Sequence, residues 1–254
     1  MDNPFYDFKD RDDKLKAIIR YNMPKFTPMF YRTNLLTHSA RVNLLVRSAL
    51  PSIKSNWGMS FNSEKACTLA FAHDDAEIIS GDVLRYQKDR MTKQELEAND
   101  RKEASAIEEI CKGWPEKVNG FVYKDLLYHA MRKDCLEAQA VSYLDKVDAY
   151  CESLHEVLAG NWRFAGCFVA YIRHLNEYPV KFPALKAIAQ SDNPLLSTPP
   201  NKTKEEMLAI AKKSGLHTRE SVQNPTGFSH YNLWRDITIK FMGVDELVCT
   251  RERD

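Results

Sequence analysis

The chain has 254 residues, of which 44% are hydrophobic, enough for one substantial core with an appendage or for two modest domains. Lysine and arginine (36) nearly balance aspartate and glutamate (35), so the composition excludes a general electrostatic attraction to nucleic acid or membranes. We expect neither a signal peptide nor a membrane-spanning helix, and six scattered cysteines without a C-x-x-C pair are typical of reduced thiols in a cytoplasmic protein.

Helical periodicity begins near the N-terminus. The segment RDDKLKAIIRY predicts a first helix that ends before Pro24, and THSARVNLLVRSAL predicts a second that ends at Pro51. Ser63 is a suitable N-cap for a third helix, EKACTLAFAHD. Thr92 and Glu95 form a capping box for a fourth, KQELEANDRKEASAIEEIC. The first half of the chain is therefore predicted to be helical.

The second half continues the same pattern. A helix that begins at Pro115 and ends near Lys133 is followed by a long one, DCLEAQAVSYLDKVDAYCESLHEVLAG, which Gly160 is placed to end. The segment RFAGCFVAYIRHLNEY predicts another apolar helix. We find no sustained period-two alternation with hairpin turns and no alternating β and α units. These patterns predict an all-α fold.

The composition changes near residue 190, where QSDNPLLSTPPNKTK is typical of a linker. Beyond it, Thr203 and Glu206 open a short helix, and an apolar-rich tail extends from Trp234 to Val248. We therefore predict a main domain over residues 1–190. Residues 191–254 would form a linker and a small C-terminal extension, either a subdomain or an arm packed on the main body. No role for it can be read from the residues.

An unusual concentration of acid occurs in FAHDDAEIISGDV, residues 71–83. This stretch holds one histidine and four carboxylates but no lysine or arginine. A solvated helix face usually pairs acids with bases one turn away. The acids here either point to water or surround a cation that is not a side chain.

Two residues elsewhere complete a candidate ligand set. His38 lies on the second predicted helix, and Asp145 lies among apolar neighbours of the long helix, where an unpaired carboxylate would be costly to bury. With His73 and Asp74 they form a mixed nitrogen and oxygen set suited to Mn, Co, Fe or Mg, and less suited to Zn. The alternatives are hydrogen-bonded core histidines and an Asp145 that pairs with Lys146 or with a neighbouring arginine.

The order H…HD…D on successive helices resembles the HD-domain metal-dependent phosphohydrolase superfamily. Three longer segments are similar to motifs of its bacterial 5′-deoxynucleotidases (YfbR-like). RTNLLTHS resembles R-T-E-N-V-x-E-H-S, HDDAEIISGD resembles H-D-x-x-E-x-x-x-G-D, and DKVDAYCESLHEVLAGN resembles D-x-L-x-x-Y-L-x-x-L-E-E-L-x-A-G-N. The resemblance covers roughly residues 10 to 180 and implies an HD-domain helical bundle.

The resemblance assigns roles to named positions. His38, His73, Asp74 and Asp145 fall on the metal ligands. Glu77 and Asp82 fall on two catalytic carboxylates. We expect Glu77 to act as the base or to orient water and Asp82 to act on the phosphate or leaving group, although these roles could be exchanged. Asp75 is left to face solvent or to support the site from outside.

The resemblance also implies a substrate site, with departures. Arg20 and Tyr21 resemble an Arg-Trp pair that contacts the nucleotide, and Lys88 corresponds to a lysine that helps to bind phosphate. Arg32 is a further phosphate-binding candidate. The family's Glu before the first ligand histidine is Thr37 here, RTENV has become RTNLL, and VLRYQ replaces a Pro-rich turn. These departures affect the substrate pocket rather than the ligand positions.

The implied function is metal-dependent hydrolysis of deoxynucleoside 5′-monophosphates to deoxynucleoside and phosphate. One alternative is release of triphosphate from deoxynucleoside triphosphates. Another is a catalytically silent HD protein that binds nucleotide or serves as a scaffold. The resemblance further implies a small-molecule nucleotide as the binding partner, no nucleic acid, and a homodimer. His129 would be an extra ligand if the site held two metals.

Overall fold

The computed structural model describes residues 4–21, 29–31, 33–83, 85–214 and 229–243. The α-helices in these ranges are α1 (Arg11–Lys16), α2 (Leu35–Trp57), α3 (Ser63–Ala72), α4 (Glu77–Ser80), α5 (Arg85–Lys88), α6 (Lys93–Ile110), α7 (Tyr123–Arg132), α8 (Leu136–Leu158), α9 (Ala165–Lys181), α10 (Leu185–Ala189), α11 (Lys204–Ser214) and α12 (Ser229–Met242). Two strands, β1 (Lys117–Val118) and β2 (Phe121–Val122), pair as an antiparallel hairpin. The predicted all-α class is confirmed.

Helix α8 is the centre of the fold. It packs against α9 on one side and against α2 and α3 on others. Its residues Leu144, Val147, Cys151 and Leu154 are fully buried. Most residues of α8 are buried, and among them are the charged Asp148, Glu152 and Glu156. Polar residues on α8 are therefore held inside the protein, where they need partners.

The first helix is shorter than predicted. Helix α1 ends at Lys16, and Ile19 instead forms an isolated antiparallel bridge with Asn34. Next to it, the backbone N–H of Arg20 donates to the carbonyl of Thr33. Tyr21 adopts a left-handed φ of 57°. The chain leaves the helix because these backbone groups bond to the segment before α2, which places Arg20 beside the core.

The second helix is longer than predicted. It passes through Pro51 and continues to Trp57. An internal proline removes one hydrogen bond but does not always end a helix. Here the turn beyond Pro51 carries Ile53, which is fully buried. Gly58, with φ 59°, ends the helix and donates its N–H to Lys54.

Two other predicted boundaries are wrong, and local chemistry explains both. The N-cap of α3 is Asn62, whose side chain accepts from the N–H of Lys65. No helix begins at Pro115, because the β1–β2 hairpin precedes α7. Asn119 and Gly120 have φ values of 50° and 79°, as a two-residue hairpin turn of the Asn-Gly type requires.

The C-terminal helices pack on the main body. Helix α11 contacts α8 and α9, and α12 contacts α2 and α8. The predicted Thr203–Glu206 capping box is present, with each residue bonded to the backbone N–H of the other. The division of the chain at residue 190 stays a prediction. Across the described ranges, no helix combines the length and apolar character that crossing a membrane requires.

Candidate active site

Four residues predicted as metal ligands lie together where α2, α3 and α8 meet. His38 Nε2 is 3.3 Å from His73 Nε2, 3.4 Å from Asp74 Oδ2 and 3.3 Å from Asp145 Oδ1. His73 Nε2 is 3.3 Å from Asp74 Oδ1. His38 comes from the start of α2, His73 and Asp74 follow α3, and Asp145 lies in α8. The fold thus brings distant parts of the chain to one point.

This donor set fits a divalent ion. Two imidazole nitrogens and carboxylate oxygens are ligands that divalent transition metals accept. Ligand atoms of His38, His73 and Asp74 lie within 4.8 Å of one another. Asp145 has two neighbours, since Oδ2 bonds Lys146 while Oδ1 faces His38. Asp145 therefore does pair with Lys146, as one alternative predicted, but Oδ1 is still available as a metal ligand.

The carboxylates around His38 favour a positive charge at this point. Burial, with Arg20 nearby, would lower its pKa. Hydrogen bonds to Asp145, Asp148 and Asp74 outweigh burial and raise the pKa of His38 to about 10. Burial likewise opposes ionisation of Asp74, but His73 and His38 hold the pKa of that carboxyl well below its usual range. The site is therefore suited to a cation.

A buried ion-pair network that we did not predict from the sequence contacts His38 at Nδ1, the ring nitrogen that does not face the other proposed ligands. His38 Nδ1 donates to Asp148 Oδ2 over 2.7 Å. Arg41 donates to both oxygens of Asp148 at 2.8 and 3.1 Å, and also to Glu152. Arg41 follows His38 by three positions, as Asp148 follows Asp145, so each pair shares a helix face. This three-residue spacing is the sequence feature from which the network could have been predicted.

Glu77 and Asp82 line the same cleft as His73, Asp74 and Asp145. The cleft has a volume of about 160 Å³. Burial, followed by the charges of Asp74 and Asp82, raises the pKa of Glu77 well above its ordinary value. Burial also raises the pKa of Asp82, although Arg20 opposes the shift. Both predicted catalytic carboxylates therefore line the cleft, in surroundings that favour their protonated forms.

Two predicted cations lie in this cleft. Arg20 and Lys88 both line it. The guanidinium of Arg20 is 3.6 Å from Asp148 Oδ2 and 3.6 Å from Glu152 Oε2. Within the described part of the chain, Arg20 Nη1 is buried and has no hydrogen-bond partner. Nη1 is the atom that faces Asp148, so it is the position of Arg20 in the lining of the cleft that suits this guanidinium to binding an anion.

Two lysines that we did not predict as site residues add to the positive charge of the cleft. Lys146 lies beside Asp145, and Lys133 follows the end of α7. The ammonium of Lys133 donates to the carbonyls of Ala130 and Met131 over 3.4 and 3.3 Å. Burial, with repulsion from Lys146, lowers the pKa of Lys133 to about 8. Nothing in the local sequence marked Lys133, because its place in the cleft depends on how α7 ends.

Three other predicted residues have different outcomes. Tyr21 lines the cleft but is only 4% exposed, and its hydroxyl shares a 2.8 Å hydrogen bond with that of Tyr171. Arg32 lies outside the described residues. His129 is not among the residues that line the cleft, and it pairs with Asp134 instead. A contribution of His129 to a second metal at the cleft is therefore not supported.

Asp75 belongs to the core rather than to the surface. It is completely buried and accepts from Arg11 Nε at 2.8 Å, from Arg11 Nη2 at 2.7 Å and from the Tyr123 hydroxyl at 2.8 Å. Of the two alternatives expected for Asp75, facing solvent is wrong, and support of the site from outside stays a prediction. The partner of Asp75 could not be recognised in the local sequence, because Arg11 lies far away in the chain, on α1. The pair anchors α1 to the loop that carries Asp74.

Comparisons with known proteins identify a family and several relatives that this chain resembles. Residues 8–188 match the family described as 5′-deoxynucleotidase YfbR-like. A 5′-deoxynucleotidase of Vibrio parahaemolyticus is 30% identical over 136 residues, which are 52% of this chain and 66% of the relative. The 5′-deoxynucleotidase YfbR of Escherichia coli is 29% identical over 140 residues, 52% of this chain and 64% of the relative.

The chain thus spans just under two thirds of the length of these relatives. A solved structure of a conserved hypothetical protein from Pyrococcus furiosus is 23% identical, with a TM-score of 0.46, over 65% of this chain and 93% of that chain. The family match includes the helices that carry His38, His73, Asp74 and Asp145, and it ends before α11 and α12. The chain belongs to the YfbR-like 5′-deoxynucleotidase family.

Proposed function

We propose that the protein is a divalent-metal-dependent phosphohydrolase that converts deoxynucleoside 5′-monophosphates to deoxynucleoside and phosphate. The observation that carries this proposal is the convergence of two histidines and two aspartates at a cleft that also holds paired carboxylates and several cations. Membership of a family named for 5′-deoxynucleotidases supports the substrate class.

His38, His73, Asp74 and Asp145 would hold the ion. Their mixed donor set favours Mn, Co, Fe or Mg over Zn. When bound, a divalent ion neutralises charge on a phosphoryl group and makes a coordinated water more acidic. The side chains around it would bind, orient and exchange protons with the substrate.

Glu77 and Asp82 would carry the proton transfers. Hydrolysis needs one group that accepts a proton from water or orients it and another that acts on the phosphate or leaving oxygen. Two carboxylates that line the same cleft can divide these tasks. We assign Glu77 to the water and Asp82 to the phosphate or leaving group, and the same geometry also allows the reverse.

The cationic side chains would hold the phosphate. Arg20 lines the cleft, and its guanidinium is held there by ion pairs with Asp148 and Glu152. Lys88 and Lys133 line the same cleft, where an ammonium group acts as a point charge for an anion. Stacking of Tyr21 on a base or sugar stays a prediction, since little of its side chain is exposed.

A second candidate is hydrolysis of deoxynucleoside triphosphates to triphosphate. The observation that favours it is the presence of Lys133 and Lys146 in addition to Arg20 and Lys88, because a triphosphate brings more negative charge. A catalytically silent protein is less well supported, since both carboxylates line the cleft. A homodimer and a cytoplasmic location stay predictions.

Metal analysis and a phosphate-release screen test the proposal. Purified protein would be assayed with all four deoxynucleoside monophosphates and triphosphates in the presence of Mn²⁺ or Co²⁺. The products separate the candidates, since one releases inorganic phosphate and the other intact triphosphate. Absence of a bound metal together with absence of turnover on every nucleotide would exclude both.

Isosteric variants test the assigned roles. We expect Asp145→Asn to lose metal and activity together, because it removes a charged ligand. Glu77→Gln should lose about 10²- to 10⁴-fold in activity but keep the metal, because it removes only proton transfer. Glu97→Gln, an exposed change on α6, is the control. If Glu77→Gln also emptied the site, Glu77 would be a ligand and its assigned role would be wrong.

A further inference from the structure

Helix α12 brings an indole to the carboxylate behind His38. The Nε1–H of Trp234 donates to Asp148 Oδ1 over 2.6 Å. Trp234 is 1% exposed, and Asp148 is completely buried. The other oxygen of the same carboxylate, Oδ2, accepts from His38 Nδ1 at 2.7 Å. A chain of two hydrogen bonds therefore links the C-terminal extension to a proposed metal ligand.

We propose that Trp234 is a positioning residue that holds Asp148 in the orientation in which it fixes His38 for metal binding. This inference rests on the proposed metal site and goes beyond the proposed reaction. A histidine ligand binds metal through one ring nitrogen while the other donates to an acceptor that sets its tautomer and orientation. Asp148 is that acceptor, and it leaves His38 Nε2 facing His73, Asp74 and Asp145.

The hydrogen bonds around Asp148 explain why the indole matters. Oδ1 accepts from Trp234 and from Arg41 Nε, while Oδ2 accepts from Arg41 Nη2 and from His38. A buried carboxylate needs such donors, and each one restricts its rotation. The indole N–H only donates, so it cannot compete with the carboxylate for the His38 proton.

Trp234 also holds the second donor in place. The guanidinium carbon of Arg41 lies 5.2 Å from the centre of the Trp234 ring, a distance suited to a cation–π contact. Tyr231 stacks beside the indole, with ring centres 5.8 Å apart. The family match ends at residue 188, so this support comes from a segment outside it. The extension thereby acquires a role that its sequence did not indicate.

The test removes the indole donor and keeps the packing. Trp234→Phe lacks the N–H, and replacement of Trp234 by β-(3-benzothienyl)alanine substitutes sulfur for N–H with almost no change of volume. The matched control is Tyr231→Phe, which removes a different buried hydrogen bond of α12, that of the Tyr231 hydroxyl with His155 Nδ1 at 2.6 Å. All variants would be full-length protein stripped of metal.

Two measurements would be made. The first is the dissociation constant for Mn²⁺ or Co²⁺, obtained by competition with a chromophoric chelator. Loss of a residue that orients a metal ligand costs about 10- to 100-fold in affinity. Because Trp234 acts on His38 only through Asp148, we expect the metal affinity of the Trp234 variants to be about tenfold weaker than that of the wild type. The second is the proton resonance of His38 Nδ1–H in ¹⁵N-histidine-labelled protein, assigned by its absence from His38→Gln. In the Trp234 variants this resonance should shift and broaden.

The outcomes separate positioning from simple packing. Weaker metal binding and a shifted His38 resonance in both Trp234 variants, with neither change in Tyr231→Phe, would support the proposal. Unchanged affinity in the benzothienyl variant, or an equal loss in Tyr231→Phe, would overturn it. If the wild-type protein bound metal but hydrolysed no nucleotide, the proposed function would fail while this inference would stand on the affinity and resonance data.

Discussion

Lys133 is a residue of the cleft whose burial lowers the stability of the folded protein. Burial, together with Lys146 and Lys88, lowers its pKa to about 8, while Glu103 opposes the shift. A lysine in such surroundings is poorly solvated when charged. The same surroundings suit it to an anionic ligand, which would supply the missing countercharge. Proteins often hold such destabilising groups at functional sites.

We predict that Lys133→Met stabilises the ligand-free protein and weakens nucleotide binding. The folded-state pKa lies below the ordinary 10.5, so between pH 8 and 10.5 the unfolded state binds more protons. Relative to the variant, the wild type therefore gains stability as pH rises through this window. At pH 7 the variant should be more stable by on the order of 1 kcal/mol, while its KM for nucleotide rises.

Urea denaturation at several pH values would check this, with KM measured in parallel. Lys93→Met, an exposed change on α6, is the control and should alter neither quantity. A Lys133→Met protein that is less stable than the wild type at pH 7 would contradict the assigned burial cost. An unchanged KM would remove Lys133 from the phosphate site.

Whether an individual site residue could be predicted depended on how local its evidence was. Asp145 was identifiable because a carboxylate stood among apolar neighbours on a long helix. Asp148 had the same kind of neighbours three positions later, but its partner Arg41 lies on another helix. Lys133 had no local mark at all. Asp148 and Lys133, whose roles depend on contacts between helices that no motif recorded, could not be assigned from one sequence.

At the scale of elements, α1 is fastened to the active-site loop by one buried ion pair. Arg11 is 1% exposed and donates to both oxygens of Asp75 and to the carbonyl of Phe71 over 2.6 Å. Its guanidinium carbon also lies 3.9 Å from the centre of the Phe5 ring. Asp75 directly follows Asp74, so the pair also restrains the backbone at a proposed metal ligand.

We predict that Arg11→Met lowers the free energy of unfolding by about 3 kcal/mol, because, among the described residues, it leaves a buried carboxylate with only the Tyr123 hydroxyl as a side-chain donor. Lys16→Met is the matched control, since it removes an exposed 3.5 Å pair with Asp13 and should cost less than about 1 kcal/mol. Urea denaturation with an unchanged m-value would measure both. Equal losses of unfolding free energy in the two variants would show that the buried Arg11–Asp75 pair stabilises the fold no more than the exposed pair does.

Helix boundaries followed local chemistry only where capping side chains decided them. The capping box of Thr92 and Glu95 starts α6 as predicted. Pro51 did not end α2, because burial of the following turn outweighed one lost hydrogen bond. The hairpin before α7 had a clear Asn-Gly signal at residues 119 and 120, but its strands are only two residues long. Such short strands leave no alternating pattern to detect.

At the scale of the whole molecule, the candidate site exists only in the folded protein. Its proposed ligands lie on three segments that span residues 38 to 145, and α12 adds support from residue 234. Motif resemblance predicted the ligand group, because the spacing of H, HD and D is recorded in the chain. It could not predict the docking of α12, since the family match ends before that helix.

Metal binding should therefore stabilise the whole fold. A ligand that binds only the folded state contributes RT ln(1 + [L]/Kd), about 2.7 kcal/mol at one hundred times Kd. We predict that Mn²⁺ raises the Tm of the wild type relative to protein in EDTA, because α2, α3 and α8 are then joined through one ion. Asp145→Asn should abolish this difference, since it removes a proposed ligand.

A second aspartate offers a matched control for that experiment. Asp134 lies near His129 and Cys135, a separate group whose ligand atoms are within 4.8 Å of one another. Asp134→Asn should keep the Mn²⁺-dependent rise in Tm, because this group lies apart from the proposed ligands. Thermal scans of the three proteins, with and without EDTA, give the comparison. If Asp134→Asn lost the rise while Asp145→Asn kept it, the stabilising ion would bind at the second group and not at His38.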